Sequence, residues 1–155
     1  MIDTRISLEE LNKRNPGTMA ANIGLEFIET HPEFLVARIP VDERTIQPLG
    51  LLNGGASAAL AETVGSTAAY LSVDRDKYYT VGLEIKCNHI RSATKGWVYG
   101  TARPIHNGKT THVWQIEIRD DENNLICHSI LTMAVLEVNE EMRIRYKDLF
   151  FKVEG

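Results

Sequence analysis

Residues 54–71 have the sequence GGASAALAETVGSTAAYL, and this stretch decides the fold. Alanine is the strongest helix former, so the run predicts a single helix of about five turns. Small apolar residues lie on nearly all sides of it, which is typical of a helix buried inside a protein. The two glycines at its start suit a close approach by another part of the backbone. The sequence therefore places a long buried helix at the centre of the domain.

Segments with the composition of strands flank this helix on both sides. Before it, residues 24–30 and 34–41 predict a hairpin that turns at His31-Pro32. After it, short turns separate four further strands, which we expect to form an antiparallel meander. These four strands are predicted over residues 78–91, 96–106, 110–119 and 125–138. Near the N-terminus, Ser7 and Glu10 have the spacing of a capping box and predict a short helix. A sheet that curls around the central helix satisfies this order, so the predicted class is α+β.

Composition excludes several classes of function. The 155 residues carry a net charge of −4 with both signs scattered, so neither a basic face for nucleic acid nor a polybasic membrane patch is expected. Cys87 and Cys127 are too few for a disulfide framework or a zinc site, and we expect reduced thiols. His31, His112 and His128 show no metal-ligand spacing. The N-terminal residues lack an apolar core and no stretch is long enough to span a bilayer, which predicts a cytoplasmic location.

Glu62 is the only charged residue between Ala56 and Leu71. One interpretation is that it marks a solvated edge of the helix. The other is a carboxylate in an apolar groove, where reduced solvation makes it available as a base or a nucleophile. Ser66 follows one turn later on the same face, and Gly65 leaves room beside both.

The start of the helix offers a second chemical group. Gly54 and Gly55 expose backbone N–H groups that have no intrahelical partner, and the helix dipole adds positive potential there. Such donors suit the oxyanion that develops during acyl transfer. Glu62 lies two turns away, on the order of 10 Å by helix rise. If both groups act on one carbonyl, a second copy of the chain must supply one of them, which predicts a site shared across a symmetric dimer.

Residues 47–71 (QPLGLLNGGASAALAETVGSTAAYL) and 81–118 (VGLEIKCNHIRSATKGWVYGTARPIHNGKTTHVWQIEI) closely resemble the acyl-CoA thioesterases of the hotdog fold. The nearest group is the PaaI-like one that contains the 1,4-dihydroxy-2-naphthoyl-CoA thioesterase and the enterobactin-pathway proofreading thioesterase. Its motif is Gln-Pro-x-Gly-x-x-His-Gly-Gly with a glutamate eight residues after the first of the paired glycines. The resemblance implies an antiparallel sheet wrapped around a long central helix, and hydrolysis of an acyl- or aroyl-CoA to the free acid and CoA.

The resemblance also implies roles for individual residues. Glu62 corresponds to the general base or nucleophile, Gly55 to the oxyanion donor, Gln47 to a residue that positions the thioester or water, and Ser66 to a hydroxyl near that water. The acyl pocket and the coenzyme A access side correspond to Gly82, His89, Ile90, Arg91 and Ser92. A loop near the nucleotide corresponds to His106, Asn107, Gly108, Lys109, Thr110 and Thr111. Homotetramers built from dimers are implied, with no metal and no cofactor, since coenzyme A is part of the substrate.

Several of these residues have other interpretations. Arg91 and Lys109 stand beside turns where phosphates reach cations, but ordinary solvated surface charge fits equally. Alternation along the strand places His89 on one face with Val81, Leu83, Ile85 and Cys87, so a core histidine and a pocket histidine both fit. We expect Val64 and Ala68 to line part of the acyl pocket. Ser57 lacks the second glycine of a nucleophile elbow and is not expected to be a nucleophile.

Asn53 departs from the family, which usually has histidine at this position. Asparagine keeps a donor and an acceptor but does not titrate, and it is a strong N-cap residue. Three interpretations follow. Asn53 replaces the hydrogen bond of the histidine and the site is intact, or the reaction at this site is slower, or the chain carries an engineered substitution. A non-catalytic or weakly active protein that binds acyl-CoA or an aryl ligand is therefore the alternative to a thioesterase. A purely structural oligomer that uses the C-terminal residues is a third.

The domain is expected to span residues 1–139, followed by a C-terminal extension over 140–155. The extension has mixed charges and aromatic residues. It suits a surface segment that packs on the sheet, or an oligomer contact through Phe150 and Phe151.

Overall fold

The computed structural model describes residues 1–141, so Phe150 and Phe151 lie outside the described residues. Two short helices and six strands surround one long helix. The helices are α1 (Leu8–Asn12), α2 (Met19–Asn22) and α3 (Gly54–Tyr70), and the strands are β1 (Glu26–His31), β2 (Phe34–Pro40), β3 (Tyr78–His89), β4 (Trp97–Asn107), β5 (Thr111–Asp120) and β6 (Leu125–Glu137). All predicted elements are present within a few residues. Helix α2 was not predicted, because a single turn is too short to show periodicity.

The strand order of the sheet is β1-β2-β4-β5-β6-β3, with antiparallel pairing throughout. The prediction that β3 to β6 form one continuous meander is therefore wrong: β4, β5 and β6 form a meander, while β3 pairs with β6 at the far edge. The connection over residues 90–96 is too long for a tight hairpin. It runs past the start of α3, where the Leu52 N–H donates to the Ala93 carbonyl at 2.8 Å.

Helix α3 packs into the concave face of the sheet, which confirms that it is buried. Its apolar side contains Leu60, Val64 and Ala68, none of which is exposed to solvent. A Cβ on Gly65 would lie 2.6 Å from Cδ2 of Leu131, so glycine here allows the helix to contact β6 closely. Since Val64 and Ala68 face the core, the prediction that they line a ligand pocket is wrong.

Strand β3 carries a bulge that changes which residues face the helix. The register shifts between Gly82, which pairs with Met133, and Glu84, which pairs with Thr132, so Leu83 is the extra residue. Leu83 and Val81 are exposed at 63% and 38%. The predicted common face for Val81, Leu83 and His89 is therefore wrong, because strict alternation fails at the bulge.

The N-terminal segment is fastened to β1 by asparagine side chains. Asn12 Nδ2 donates to the Phe27 carbonyl and Asn12 Oδ1 accepts from the Phe27 N–H, both at 2.9 Å. Asn15 Nδ2 donates to the Leu25 carbonyl at 2.9 Å. The capping box of α1 is present as predicted, with Glu10 accepting from the Ser7 N–H at 2.7 Å. These bonds fix residues 7–15 against the sheet and beside α3.

None of the helices within residues 1–141 combines the length and the apolarity needed to cross a bilayer.

Candidate active site

The Glu62 carboxylate extends from the middle of α3 to Gly82 on β3. A Cβ added to Gly82 would collide with Oε1 of Glu62, so only glycine leaves room for the carboxylate here. Glu62 is half-buried, and among residues 1–141 it has no hydrogen-bond or ion-pair partner. Burial raises the pKa of this carboxyl above its ordinary value of 4.5. A carboxylate with reduced solvation and unused lone pairs is suited to accept a proton or to attack a carbonyl.

The bulge in β3 turns Gly82 toward the helix, so we expect Gly82→Ala to displace Glu62. The substitution should lower kcat for an acyl-CoA substrate by about 10–100-fold, because misplacing a catalytic group by 1 Å costs up to 10²-fold. Denaturation should show no loss of stability, since alanine suits a strand better than glycine. Glu84→Ala, on the exposed opposite face of β3, is the matched control. An unchanged kcat in Gly82→Ala would show that the position of Glu62 does not matter.

Ser66 lies one turn beyond Glu62 and lines a cavity of about 450 Å³, which we call the α3 cavity. Helix α3 contributes Thr63, Ser66, Thr67 and Tyr70 to its wall, and β3 contributes Thr80. The Ser66 hydroxyl donates to the Thr63 carbonyl at 3.3 Å. The cavity therefore follows the helix from Thr63, the residue after Glu62, to Tyr70, while Glu62 itself is not part of its wall.

At the start of α3, the Asn53 side chain caps the helix. Its Oδ1 accepts a hydrogen bond from the Gly55 N–H at 2.7 Å. The amide predicted as the oxyanion donor is thus bonded to Asn53, whereas the Gly54 N–H has no such bond within the described chain. The cap follows directly from the sequence, since asparagine is among the strongest N-cap residues.

His89 lies at the end of β3, where its exposed imidazole covers the first turn of α3. A Cβ on Gly54 would lie 3.0 Å from Nε2 of His89. This close approach explains the glycine at position 54 and shows that His89 is not a core histidine. The imidazole is placed beside the helix N-terminus, where it can contact a bound carbonyl or the atoms next to it.

Gln47 and the segment after His89 line a second cavity of about 360 Å³, the His89 cavity. Its wall includes Gln47, Gly54, Ser57, His89, Ile90, Arg91 and Ser92. The Gln47 side chain is held in its own turn, because Oε1 accepts from the Leu49 N–H at 3.0 Å. Its amide nitrogen makes no hydrogen bond within the described residues. The structure thus brings the predicted Gln47 together with the predicted access-side residues.

The β4–β5 hairpin lines a third cavity of about 480 Å³, which lies beside the C-terminal end of α3. Asn107, Gly108 and Lys109 contribute to it together with Asp74 and Tyr78. His106, Thr110 and Thr111 belong to the same hairpin but do not line this space. His112 also lines this cavity; its side chain is buried, and burial lowers the pKa of its imidazole.

The predicted residues therefore fall into separate regions of one chain. Glu62 and Ser66 lie near the α3 cavity, Gln47 and residues 89–92 near the His89 cavity, and residues 107–109 at the opposite end of α3. Within residues 1–141, no group of three His, Cys, Asp or Glu side chains is placed to hold a metal ion. Sequence reasoning rejected Ser57 as a nucleophile and did not predict that it lines the His89 cavity. It also missed the residues before β1 that line the α3 cavity. Nothing in the local pattern of those residues indicates a ligand.

Comparisons with known proteins identify the class of this arrangement. Its fold matches the crystal structure of a mutant thioesterase from Pseudomonas aeruginosa, with a TM-score of 0.86 and 44% identity over 88% of this chain and 99% of that one. Residues 49–127 match the thioesterase superfamily. The helix wrapped by an antiparallel sheet is thus the hotdog fold of a thioester hydrolase, which confirms the predicted fold class and enzyme class.

Two curated relatives cover nearly the whole domain. The chain is 47% identical over 132 residues to 1,4-dihydroxy-2-naphthoyl-CoA hydrolase of Escherichia coli K12, which spans 85% of this chain and 96% of that protein. It is 44% identical over 131 residues to proofreading thioesterase EntH of Cronobacter turicensis, spanning 84% and 95%. The chain belongs to the thioesterase superfamily.

Proposed function

We propose that this chain hydrolyses acyl- or aroyl-CoA thioesters to the free acid and CoA, with Glu62 as the general base or nucleophile. The observation that carries the proposal is the Glu62 carboxylate itself, half-buried against Gly82 with a raised pKa and no partner in the described chain. Partial burial of a carboxylate without a structural partner costs stability, and such groups cluster at functional sites. One of the two relatives is named as the hydrolase of an aroyl-CoA, 1,4-dihydroxy-2-naphthoyl-CoA, and the other as a proofreading thioesterase.

The reaction requires a second group to stabilise the oxyanion. The start of α3 is the natural source of that group, through the first-turn amides and the Asn53 carboxamide. Glu62 follows Gly55 by seven positions along the helix, about 10 Å by helix rise. One thioester carbonyl is too small to contact both Glu62 and the helix start of the same subunit. Each site therefore combines Glu62 of one subunit with the helix start of another.

The exposed edge of β3 supports such a dimer. This strand ends the sheet, and over its twelve residues it has a neighbour on one side only. Leu83 and Val81 are exposed along it, and long apolar edge strands rarely stay unpaired. Antiparallel pairing of β3 with its copy would place the two Glu62–Gly82 contacts at the interface. A dimer of dimers remains the predicted assembly.

Charge on this edge should disrupt both assembly and activity. We expect Leu83→Asp to shift the protein toward monomers in sedimentation velocity and to lower kcat/KM at least tenfold, because edge charges block strand pairing. Ile105→Asp is the matched control, since Ile105 is comparably exposed at 56% but lies on the β4 bulge. A Leu83→Asp variant that is monomeric and fully active would contradict the shared site.

The substrate is best identified with a panel of straight-chain acyl-CoAs and aroyl-CoAs, assayed by release of free CoA. Hydrolysis of at least one class, abolished by Glu62→Gln, supports the proposal. Binding without release would support the alternative of a non-catalytic acyl-CoA protein. The Asn53 cap on the Gly55 amide is the observation that favours this alternative.

Two exposed cations support a binding site for the phosphates of coenzyme A. Arg91 at the rim of the His89 cavity and Lys109 on the β4–β5 hairpin are exposed cations that phosphates could contact. The two lie at opposite ends of α3, so in one site they would come from different subunits.

Single-turnover hydrolysis in oxygen-18 water separates the two roles of Glu62, since a nucleophile acquires the label and a base does not. The cytoplasmic location stays a prediction.

A further inference from the structure

Ser57, at the end of the first turn of α3, is buried but its hydroxyl has no partner in the described chain. The residue is only 2% exposed and lines the His89 cavity. Its backbone N–H donates to the Asn53 carbonyl at 3.1 Å, whereas its hydroxyl makes no hydrogen bond within the described residues. Buried hydroxyls are nearly always hydrogen-bonded. The unused hydroxyl therefore indicates that a molecule bound in the cavity supplies the partner.

The Ser57 side chain leans over the first residue of the helix. Side chains on a helix point toward its N-terminus and cover the residue three or four positions earlier. For Ser57 that residue is Gly54, which lines the same cavity. The Gly54 N–H points out of this end of the helix and has no hydrogen-bond partner within the described chain. Two unused donors thus converge at one end of the His89 cavity.

The next amide, that of Gly55, is already used. Its N–H donates to Asn53 Oδ1 at 2.7 Å, and a Cβ on Gly55 would lie 3.0 Å from the same oxygen. The carboxamide oxygen therefore covers this side of the turn. An oxyanion at Gly55 would face another hydrogen-bond acceptor, which repels it. Asparagine at position 53 thus occupies the donor that the resemblance implies for the reaction.

We propose that the thioester oxygen is held by the Gly54 N–H and the Ser57 hydroxyl, and not by the Gly55 N–H. When water or Glu62 of the other subunit attacks the thioester carbon, the π electron pair of the carbonyl moves onto this oxygen. Its return expels the CoA thiolate, and if water attacks, the proton of the water passes to Glu62. Both donors face the negative charge that develops, and the helix dipole adds to them. The inference rests on the proposed thioesterase function and adds two catalytic residues to it.

The proposed dimer brings the two halves of this site together. Gly82 and His89 lie seven positions apart on β3, and Glu62 lies against the first while Gly54 lies against the second. Antiparallel pairing of β3 with its copy, about an axis midway between these positions, places Gly82 of one subunit opposite His89 of the other. The Glu62 carboxylate of one subunit is then beside the helix start that carries Gly54 and Ser57 of the other.

Gly54→Pro tests the amide donor. Proline lacks the N–H but suits the first position of a helix, and Asn53 has the extended conformation (φ −68°, ψ 134°) that proline requires before it. Gly54→Ala is the matched control, because it keeps the N–H and places a Cβ 3.0 Å from Nε2 of the exposed His89 side chain. With the thioester that the wild type hydrolyses fastest in the substrate panel, kcat of the proline variant should be about 10²–10³-fold below that of the alanine variant. The KM values and melting temperatures of the two variants should be similar.

Ser57→Ala tests the hydroxyl donor. It should lower kcat by about 10–100-fold, the loss expected for one hydrogen bond to a charged group, with little change in KM. Ser129→Ala is the matched control, because Ser129 is also buried, but its hydroxyl donates to Cys87 Sγ at 3.3 Å and does not line the His89 cavity. This control should lose stability without losing kcat.

The carbonyl stretch of a bound, carbon-13-labelled thioester measures the same contacts without turnover. In the Glu62→Gln background, binding should shift this infrared band to lower wavenumber, and adding Gly54→Pro or Ser57→Ala should reverse part of the shift. The inference is overturned if either variant has the kcat of its control, or if both lower kcat but leave the band unchanged. These results leave the thioesterase function standing when the wild type releases CoA, whereas a wild type that hydrolyses no thioester of the panel refutes both.

Discussion

Glu62→Gln should lower kcat for an acyl-CoA thioester by about 10²–10⁴-fold, the usual contribution of a general base. Glutamine has nearly the same shape and fits against Gly82, but it neither accepts a proton at neutral pH nor forms an anhydride. KM should change little, because the substrate contacts remain. Release of free CoA under saturating substrate measures the effect.

Stability measurements separate this loss from unfolding. Burial raises the folded-state pKa of Glu62 above its unfolded value. The free energy of unfolding therefore falls as pH rises from the unfolded pKa through the folded pKa, and this loss persists at higher pH. Glu62→Gln removes that cost and should be at least as stable as the wild type at pH 7. The wild-type rate should fall on the acid side with an apparent pKa above 4.5, and this limb should vanish in the variant. A variant with full kcat would show that Glu62 is not catalytic.

Asn53→Asp should lower kcat by about 10²–10³-fold, the cost of losing an oxyanion donor. Aspartate keeps the cap on the Gly55 amide, removes the carboxamide N–H donors and adds negative charge where an oxyanion forms. Asn53→His, which restores the residue usual in the family, should instead raise kcat if asparagine is a partial substitute. Both effects appear in the same CoA-release assay.

Aspartate and asparagine are equivalent as N-cap residues, so the melting temperature of Asn53→Asp should match that of the wild type. This makes the variant a test of chemistry rather than of folding. A wild-type rate in Asn53→Asp would exclude the start of α3 from the reaction. An unchanged rate in Asn53→His would show that this position matters little in this chain.

The central helix was predictable because its composition is extreme. A run of alanines without charges, apart from Glu62, leaves few alternatives to a buried helix. The strands were also predictable from their alternation and turns. The position of β3 in the sheet was not, because local patterns do not record whether a seven-residue connection turns back or crosses.

The site was predicted less completely, for physical reasons that individual residues show. Gly82 was placed near the acyl group only by resemblance, since the bulge that turns it toward Glu62 breaks the alternation used to predict faces. The bond from Gly55 to Asn53 follows from capping rules, yet its conflict with an oxyanion role appears only in the structure. The residues before β1 that line the α3 cavity, such as Arg14, lie far from Glu62 in sequence and are brought near α3 by the asparagine contacts with β1.

The shared site is tested most directly by mixing two inactive variants, Glu62→Gln and Asn53→Asp. A mixed dimer contains one intact site, formed by Glu62 of one subunit and Asn53 of the other. Random exchange in a symmetric dimer should therefore restore about a quarter of the wild-type activity. A mixture that exchanges subunits, as shown by differently tagged chains, yet is no more active than either parent would contradict a site formed between subunits.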